Sequence, residues 1–249
     1  MPSLICLQEV LSSQLKDILA GLNARSSTAG AAPEWSYIGV GRDDGVNSGE
    51  YSPILFRPAA WTLVRWYTKW LSPTPDTPSR GWDAASTRIV TIGEFERRHG
   101  GGSAARVLAL NTHMDDQGAV ARREGARLIC DVVKAYLEDN AVDGKSPIDV
   151  FLAGDFNSRP EEEAYQVLNA VDSPVRDVRE SVPESEWYGH WDTFTGFDDG
   201  AEEPKKRIDF IFLGRKGRWR PVTYGVLGNR FRGVYNSDHR AVAADVSLG

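Results

Sequence analysis

One segment, Val150-Phe151-Leu152-Ala153-Gly154-Asp155-Phe156-Asn157, joins a short apolar run to an acid and an amide. An apolar run of this length is typical of a buried strand, and a polar residue at its end reaches the rim of the sheet. Asp155 and Asn157 stand two residues apart, so in an extended segment their side chains face the same way. The segment therefore predicts a strand that presents a carboxylate and an amide at one edge of a sheet.

The same pattern recurs at other strand-like runs along the chain. Glu9 follows one apolar run and His113 another, Asp209 lies inside a third, and Asp238-His239 stands just before a fourth. Strand ends that offer mostly oxygen ligands, with two imidazoles beside them, are typical of a hard-cation site with acid–base groups. The sequence therefore predicts a metal-dependent hydrolase.

Each of these residues also has a structural interpretation. Asp and Asn at strand ends are common in turns and helix caps, and a single His after a strand is often a surface or hydrogen-bonded residue. The order of Leu7-Gln8-Glu9, Asn111-Thr112-His113, Gly154-Asp155-Phe156-Asn157 and Ser237-Asp238-His239 favours one shared site over a chance arrangement.

From Ile5-Cys6-Leu7-Gln8-Glu9 to Ser237-Asp238-His239-Arg240, the chain resembles the endonuclease/exonuclease/phosphatase superfamily. This superfamily includes DNase I-like nucleases, abasic-site endonucleases, sphingomyelinases, inositol polyphosphate 5-phosphatases and deadenylases. The segments Gly49-Glu50-Tyr51 and Gly81-Trp82-Asp83-Ala84 are similar to one subgroup of it. The resemblance implies an α/β fold, a four-layer α-β-β-α sandwich of two packed mixed sheets, with the site at one end of the sheets.

Metal ligands follow from residue type and from the resemblance. Glu9 is predicted to bind Mg²⁺ or Mn²⁺ directly, because a hard ion prefers carboxylate oxygen. The resemblance implies that Asp155 and Asn157 orient the water nucleophile and the phosphate, with Asp155 also able to approach the metal. Asp238 is predicted to be a second-site metal ligand or an orienting carboxylate.

The two histidines are predicted to work in pairs with carboxylates. A carboxylate acceptor fixes the tautomer of an imidazole and raises its basicity. The family pattern pairs His239 with Asp209 as general base, and His113 with Glu50 as phosphate ligand or general acid. His99 and His190 have no such setting.

Substrate contacts have candidates that each keep a structural alternative. Arg42, in Gly41-Arg42-Asp43-Asp44-Gly45, lines the cleft or forms a salt-bridged turn. Tyr51 contacts phosphate or packs in a strand. Trp82 ends a proline-rich aromatic segment that stacks on a base, sugar or lipid head group, or covers the sheet edge. Arg230 belongs to a basic run after residue 201 that contacts phosphate or forms a solvated face.

Composition is compatible with one domain over residues 1–249. The chain has 249 residues, 41% of them hydrophobic, and no apolar run approaches the ~20 residues that cross a bilayer. Cys6 and Cys130 read as buried free thiols, which favours a cytoplasmic protein, and we expect a monomer. The net charge of −6 favours a small or lipid-like phosphoester over duplex DNA as partner, although nucleic acid remains an alternative.

Local patterns predict the flanking elements. Leu15, Leu19 and Leu22 recur at helical spacing behind Ser12 as N-cap, and Ser158 is predicted to cap a second helix. Short strands are predicted at 37–40, 54–56, 62–66 and 88–92.

Family members begin with a further strand that ends in an Asn, whereas here Met1-Pro2-Ser3 leads directly into the Glu9 strand. We therefore expect a form extended by an upstream strand to be more stable and more active, and any secretion signal would lie upstream. Two function classes follow. The first is a Mg²⁺-dependent phosphodiesterase or phosphomonoesterase that acts through a metal-activated water. The second is a non-catalytic binding or regulatory module, inactive because that strand is absent.

Overall fold

The computed structural model describes residues 3–24, 32–98, 105–142, 147–197 and 205–248. Its helices are α1 (Ser12–Asn23), α2 (Ala119–Val142) and α3 (Glu163–Asn169). Its strands are β1 (Leu4–Cys6), β2 (Ser36–Ile38), β3 (Ile54–Phe56), β4 (Trp61–Trp70), β5 (Ile89–Arg97), β6 (Arg106–His113), β7 (Ile148–Asp155), β8 (Val175–Asp177), β9 (Trp187–Gly189), β10 (Asp209–Gly214), β11 (Trp219–Val226), β12 (Arg230–Phe231), β13 (Val234–Tyr235) and β14 (Val242–Leu248).

A six-stranded sheet forms the centre of the molecule, in the order β4-β5-β6-β7-β10-β8. β6 and β7 run parallel, and the other neighbouring strands run antiparallel. The register sets His113 opposite Asp155 across the β6–β7 pair, and Asp155 opposite Asp209 across the β7–β10 pair. Three polar residues from distant parts of the chain therefore share one end of the sheet.

Two three-stranded sheets, β1-β3-β2 and β14-β11-β9, cover one face of the central sheet. Ile54 and Phe56 of β3 pack with Phe95 and Ala109 of the central sheet. The other small sheet packs in the same way, through contacts of its β11 and β14 residues with β7 and β10. Together these elements form two facing β-layers with an apolar interior.

Helices cover both outer faces of the double sheet. Ile129 and Val133 of α2 pack against Leu110 and Leu152 on the far side of the central sheet. On the opposite side, Leu15 of α1 packs with β3. The order of layers is helix, sheet, sheet, helix, so the predicted four-layer sandwich of mixed sheets is confirmed.

Each small sheet has an edge strand that pairs with one neighbour only among the described residues. Within the described residues, β1 pairs only with β3 and β14 only with β11. Both lie along a groove of about 490 Å³ whose apolar lining includes Trp61 and Trp219. The expectation of a further strand ahead of Glu9 stays a prediction.

Helix starts differ from those predicted. Ser12 is the first residue of α1 and not its N-cap, which is Leu11; the N–H of Leu11 donates to Oε1 of Gln14 at 2.9 Å. Ser158 is not the residue directly before α3, which begins at Glu163, but its hydroxyl accepts from the N–H of Tyr165 in the first turn of α3 at 3.4 Å. The described strands β4 and β5 also extend beyond the predicted bounds.

Cys6 and Cys130 are both free thiols, and Cys130 is buried while Cys6 is partly exposed. Among the described helices, none combines the length and the apolar character that crossing a membrane requires.

Candidate active site

A cavity of about 430 Å³ opens at the end of the central sheet where His113 and Asp155 lie. Its lining is mostly polar and comes from segments spread over the whole chain. The lining residues are Glu9, Arg42, Glu50, Ser86, Arg88, His113, Asp116, Asp155, Asn157, Phe194, Lys206, Ile208, Asp238 and His239.

The strand register explains the centre of this cavity. Oδ2 of Asp155 lies 3.5 Å from Nε2 of His113 and 3.8 Å from Nε2 of His239. Asp155, Asp209 and His239 each bring a possible ligand atom within 4.8 Å of the other two. The carboxylate of Asp155 therefore lies between the two imidazoles that the sequence had predicted to be functional.

Glu9 is held in place by hydrogen bonds that reach across the double sheet. Gln8 donates to Oδ1 of the buried Asn111 at 2.7 Å, and Asn111 donates to the carbonyls of Leu7 and Pro53, each at 2.8 Å. Glu9 itself has a φ of 61°, a left-handed conformation that a non-glycine residue adopts at a cost. This conformation turns the chain at the end of β1 so that Glu9 lines the cavity.

Asn157 defines the tautomer of His113. Its Nδ2 donates to the carbonyl of Met114 at 3.0 Å and lies 3.1 Å from Nε2 of His113. Since the amide nitrogen has only hydrogens to offer, Nε2 is the acceptor and the ring proton lies on Nδ1. Burial lowers the pKa of His113 well below its usual value, and the charges of Arg88 and Arg42 lower it further. His113 is therefore a neutral imidazole.

His239 has the opposite electrostatic setting. Its Nδ1 donates to Oδ2 of Asp209 at 2.8 Å. Burial lowers the pKa of His239, but the hydrogen bond and charge of Asp209, with the charges of Asp155 and Asp238, outweigh it and raise the pKa to about 9. The two histidines of the cavity are thus tuned in opposite directions.

Thr193 positions Asp209. Its hydroxyl accepts from the N–H groups of Ile208 and Asp209 at 3.0 and 3.1 Å, and its carbonyl accepts from the N–H of Arg240 at 2.6 Å. The next residue, Phe194, packs its ring edge-on against His239 with ring centres 5.0 Å apart. The segment around Thr193 therefore ties the Asp209 strand to the His239 loop.

The carboxylates of the cavity repel one another. Burial raises the pKa of Glu9, and the charges of Glu50 and Asp238 raise it further. Burial also raises the pKa of Asp155 well above its usual value, with a further contribution from the charge of Asp209. Such a group of acids gains stability from a cation that shares their oxygens.

Glu50 does not form the predicted hydrogen bond with His113. Its Oε2 accepts from Nη1 of Arg42 at 2.6 Å and stays 3.9 Å from Nδ1 of His113. Nδ1 of His113 is buried and has no hydrogen-bond partner among the described residues. A charged guanidinium is a stronger donor than a neutral imidazole, which explains why Glu50 binds Arg42 and not His113. Arg42 lines the cavity as predicted, and Asp44 forms the turn by accepting from three backbone N–H groups.

Arg88, Lys206, Ser86 and Asp116 line the cavity although the sequence did not indicate them individually. Arg88 is held by Asp115, whose carboxylate also accepts from the backbone N–H groups of Ala85, Ser86, Gln117 and Gly118 at 2.8–3.1 Å. Lys206 belongs to the basic run that the sequence had marked. Arg88 carried no local signal, because it precedes a strand like many surface arginines.

Three candidate substrate contacts lie elsewhere in the described structure. Tyr51 is buried in the core under α1, and its hydroxyl donates to the carbonyl of Val46 at 3.0 Å. Trp82 is 41% exposed and does not line the cavity, while the next residue, Asp83, caps α2 by accepting from the N–H groups of Val120 and Ala121. Arg230 lies on the exposed β12–β13 hairpin with its guanidinium over the ring of Tyr235. The placements favour the structural alternatives for Tyr51 and Arg230, and a substrate contact by Trp82 stays a prediction. His190 is exposed, and His99 lies outside the described residues.

The fold is shared with solved structures. An endonuclease/exonuclease/phosphatase from Bacteroides vulgatus is 30% identical and superimposes with a TM-score of 0.82 over 99% of this chain and 85% of that chain. The chain belongs to the endonuclease/exonuclease/phosphatase family. This family includes hydrolases of phosphoester bonds.

Other solved structures extend the comparison. A mannosyl-6-phosphatase from Bacteroides thetaiotaomicron is also 30% identical, with a TM-score of 0.78 over 98% of this chain and 85% of that chain. TDP2 from D. rerio, complexed with a single-strand DNA product, shares the fold at 17% identity and a TM-score of 0.63, over 98% of this chain and 86% of that chain. No family model matches the chain, and a search of curated proteins finds no match.

Proposed function

We propose that this protein is a Mg²⁺- or Mn²⁺-dependent hydrolase of phosphoester bonds. One observation carries the proposal: carboxylates, an amide and two oppositely tuned imidazoles converge on a single cavity. Glu9, Asp155 and Asp238 supply oxygen donors there, and His113 and His239 flank Asp155. These are the groups that phosphoester hydrolysis requires.

The donor set fits a hard divalent cation. Glu9 is the proposed principal ligand, with Asp155 and Asp238 beside it. Burial and the charges of Glu50 and Asp238 raise the pKa of Glu9, which favours a positive charge shared among these oxygens. When bound, such a cation supplies positive charge that neutralises phosphoryl oxygens and lowers the pKa values of nearby water and imidazole.

His239 is the proposed general base. Asp209 accepts a hydrogen bond from the protonated Nδ1 of His239, so Nε2 is the atom that takes a proton from the attacking water. Asp155 lies 3.8 Å from that Nε2 and is proposed to orient the same water.

His113 is the proposed phosphate contact, and Asn157, whose two amide hydrogens go to Met114 and His113, is proposed to position it. His113 is neutral and buried, and its Nδ1–H lacks a hydrogen-bond partner among the described residues. A phosphoryl oxygen of the substrate would satisfy this donor. Similarity to a mannosyl-6-phosphatase supports the inclusion of phosphorylated sugars among the substrates to be assayed.

The test is hydrolysis of p-nitrophenyl phosphate and bis-p-nitrophenyl phosphate with Mg²⁺, with Mn²⁺ and with EDTA. Turnover that requires the metal and disappears in His239→Ala supports the proposal. Absence of turnover of these esters and of sugar phosphates by correctly folded protein would favour the non-catalytic binding module instead.

A further inference from the structure

Two arginines lie in the cavity in addition to the groups that the proposed hydrolysis uses. Arg42 comes from the loop before β3, and Arg88 comes from the segment before β5. Both side chains line this cavity together with His113, and Arg42 donates to Glu50, whose Oε2 lies 3.9 Å from Nδ1 of His113. The two guanidinium groups are therefore close enough to the centre of the cavity to act on a bound anion.

Carboxylates hold the two guanidinium groups in fixed orientations. Arg88 is 6% exposed and donates from Nε to Asp115 at 3.2 Å and from Nη2 to Asp116 at 2.7 Å. Arg42 donates from Nη1 to Glu50 at 2.6 Å. A planar guanidinium anchored in this way presents its remaining N–H groups in a fixed geometry.

Each arginine has one buried nitrogen that forms no hydrogen bond with the described residues. Nη1 of Arg88 and Nε of Arg42 have no hydrogen-bond partner among the described residues, and neither does Nδ1 of His113. Oδ1 of Asp43 lies 3.9 Å from Nε of Arg42, and Oε2 of Glu50 lies 3.9 Å from Nδ1 of His113. Both distances are longer than a hydrogen bond. Buried donors without partners are costly, and the three residues that carry them all line this cavity, so we infer an acceptor-rich ligand as their partner.

The number of donors distinguishes two classes of phosphoester. A diester carries one negative charge over two non-bridging oxygens, whereas a terminal monoester carries up to two charges over three. The bound cation and the Nδ1–H of His113 can serve two oxygens. The N–H groups of the two arginines can bind the third oxygen of a monoester and stabilise its second charge, because arginine binds phosphate through several N–H groups at once.

We propose that Arg88 and Arg42 make the cavity selective for terminal phosphate monoesters of small alcohols. The proposal rests on the proposed hydrolase function and narrows its substrate class. It also agrees with the net charge of −6, which disfavours a long polyanion.

Two substrates with the same leaving group test the selectivity: p-nitrophenyl phosphate and methyl p-nitrophenyl phosphate. We expect kcat/KM for the monoester to exceed that for the diester by at least about 100-fold, as two charge-assisted hydrogen bonds would allow. An equal or higher value for the diester would overturn the selectivity and leave the hydrolase function intact. No turnover of either ester would overturn the hydrolase function, and the selectivity with it.

Variants assign the selectivity to the arginines. Arg88→Met and Arg42→Met should each lower the monoester-to-diester ratio of kcat/KM by roughly 10-fold or more and weaken inhibition by inorganic phosphate. Partial unfolding would reduce both rates equally, so it would not change the ratio. A ratio that stays at the parent value in both variants would refute the proposal.

Arg106→Met is the matched control. Arg106 is also buried and ion-paired, with Glu94, but it lies at the other end of β6, seven residues and about 23 Å from His113. Its removal should lower stability without changing the ratio.

Discussion

Nδ1 of His239 donates a hydrogen bond to Oδ2 of Asp209 at 2.8 Å, and the two residues lie 30 positions apart in the chain. The hydrogen bond defines the tautomer of His239 and leaves Nε2 facing Asp155. The proposed base is therefore a pair of residues, and its chemistry depends on both members.

Removal of either member of this pair should slow turnover. We expect His239→Ala to lower kcat by roughly 100-fold or more, the scale of general acid–base catalysis, and Asp209→Asn to lower it as well. Because the carboxylate acts through the imidazole, the double variant should lose little more than His239→Ala alone. Steady-state kinetics of the four proteins measure this, and strictly additive losses would show that the residues act independently.

The pH dependence of activity should follow His239. Its neutral form accepts the proton, so kcat/KM should rise with pH as the imidazole loses its own proton. Asp209 contributes to raising this pKa to about 9, so Asp209→Asn should shift the rising limb of the profile to lower pH while it lowers the maximum. A pH–rate profile for parent and variant tests this. A limb that moves to higher pH would contradict the assignment.

Metal dependence should be concentrated at Glu9. Glu9→Gln keeps the shape of the side chain and removes its charge, so activity should collapse and the Mg²⁺ concentration for half-maximal activity should rise. Titration of activity with Mg²⁺ measures both effects. Glu138→Gln, on the exposed side of α2, is the matched control and should behave like the parent. Activity of Glu9→Gln within a few-fold of the parent, unaffected by EDTA, would exclude this role.

Asp115 should contribute stability that is lost in acid. Burial opposes its ionisation, but the N–H groups of Ala85, Gly118 and Ser86 outweigh burial and hold the pKa well below its usual range. A depressed pKa stabilises the fold fully above the unfolded-state pKa of about 3.9, and this stabilisation declines as the pH falls below that value.

Asp115→Asn should therefore lower the free energy of unfolding at pH 7 by about 2–3 kcal/mol, the scale of hydrogen bonds to a buried charge. The difference from the parent should shrink as the pH falls below about 4. Urea unfolding at several pH values measures it, with Asp131→Asn on the exposed side of α2 as control. A difference that does not vary with pH would mean that the carboxylate charge is not responsible.

The sequence by itself indicated many of the strands and the polar residues at their ends. Burial patterns are local, so Val150–Leu152 could be read as a strand and Asp155 placed at its rim without knowledge of any partner. The same local signals indicated His113, Glu9 and His239, and their order along the chain indicated the family.

Only the tertiary structure decided which side chains became partners. Arg42, and not His113, holds the carboxylate of Glu50; Arg88 enters the cavity from a segment that carries no motif; and Tyr51 belongs to the core. Hydrogen-bond partners are chosen by competition among groups that folding brings together from distant positions, and the stronger donor prevails. Local periodicity contains no information about that competition, because it records burial and not the neighbours of each buried group.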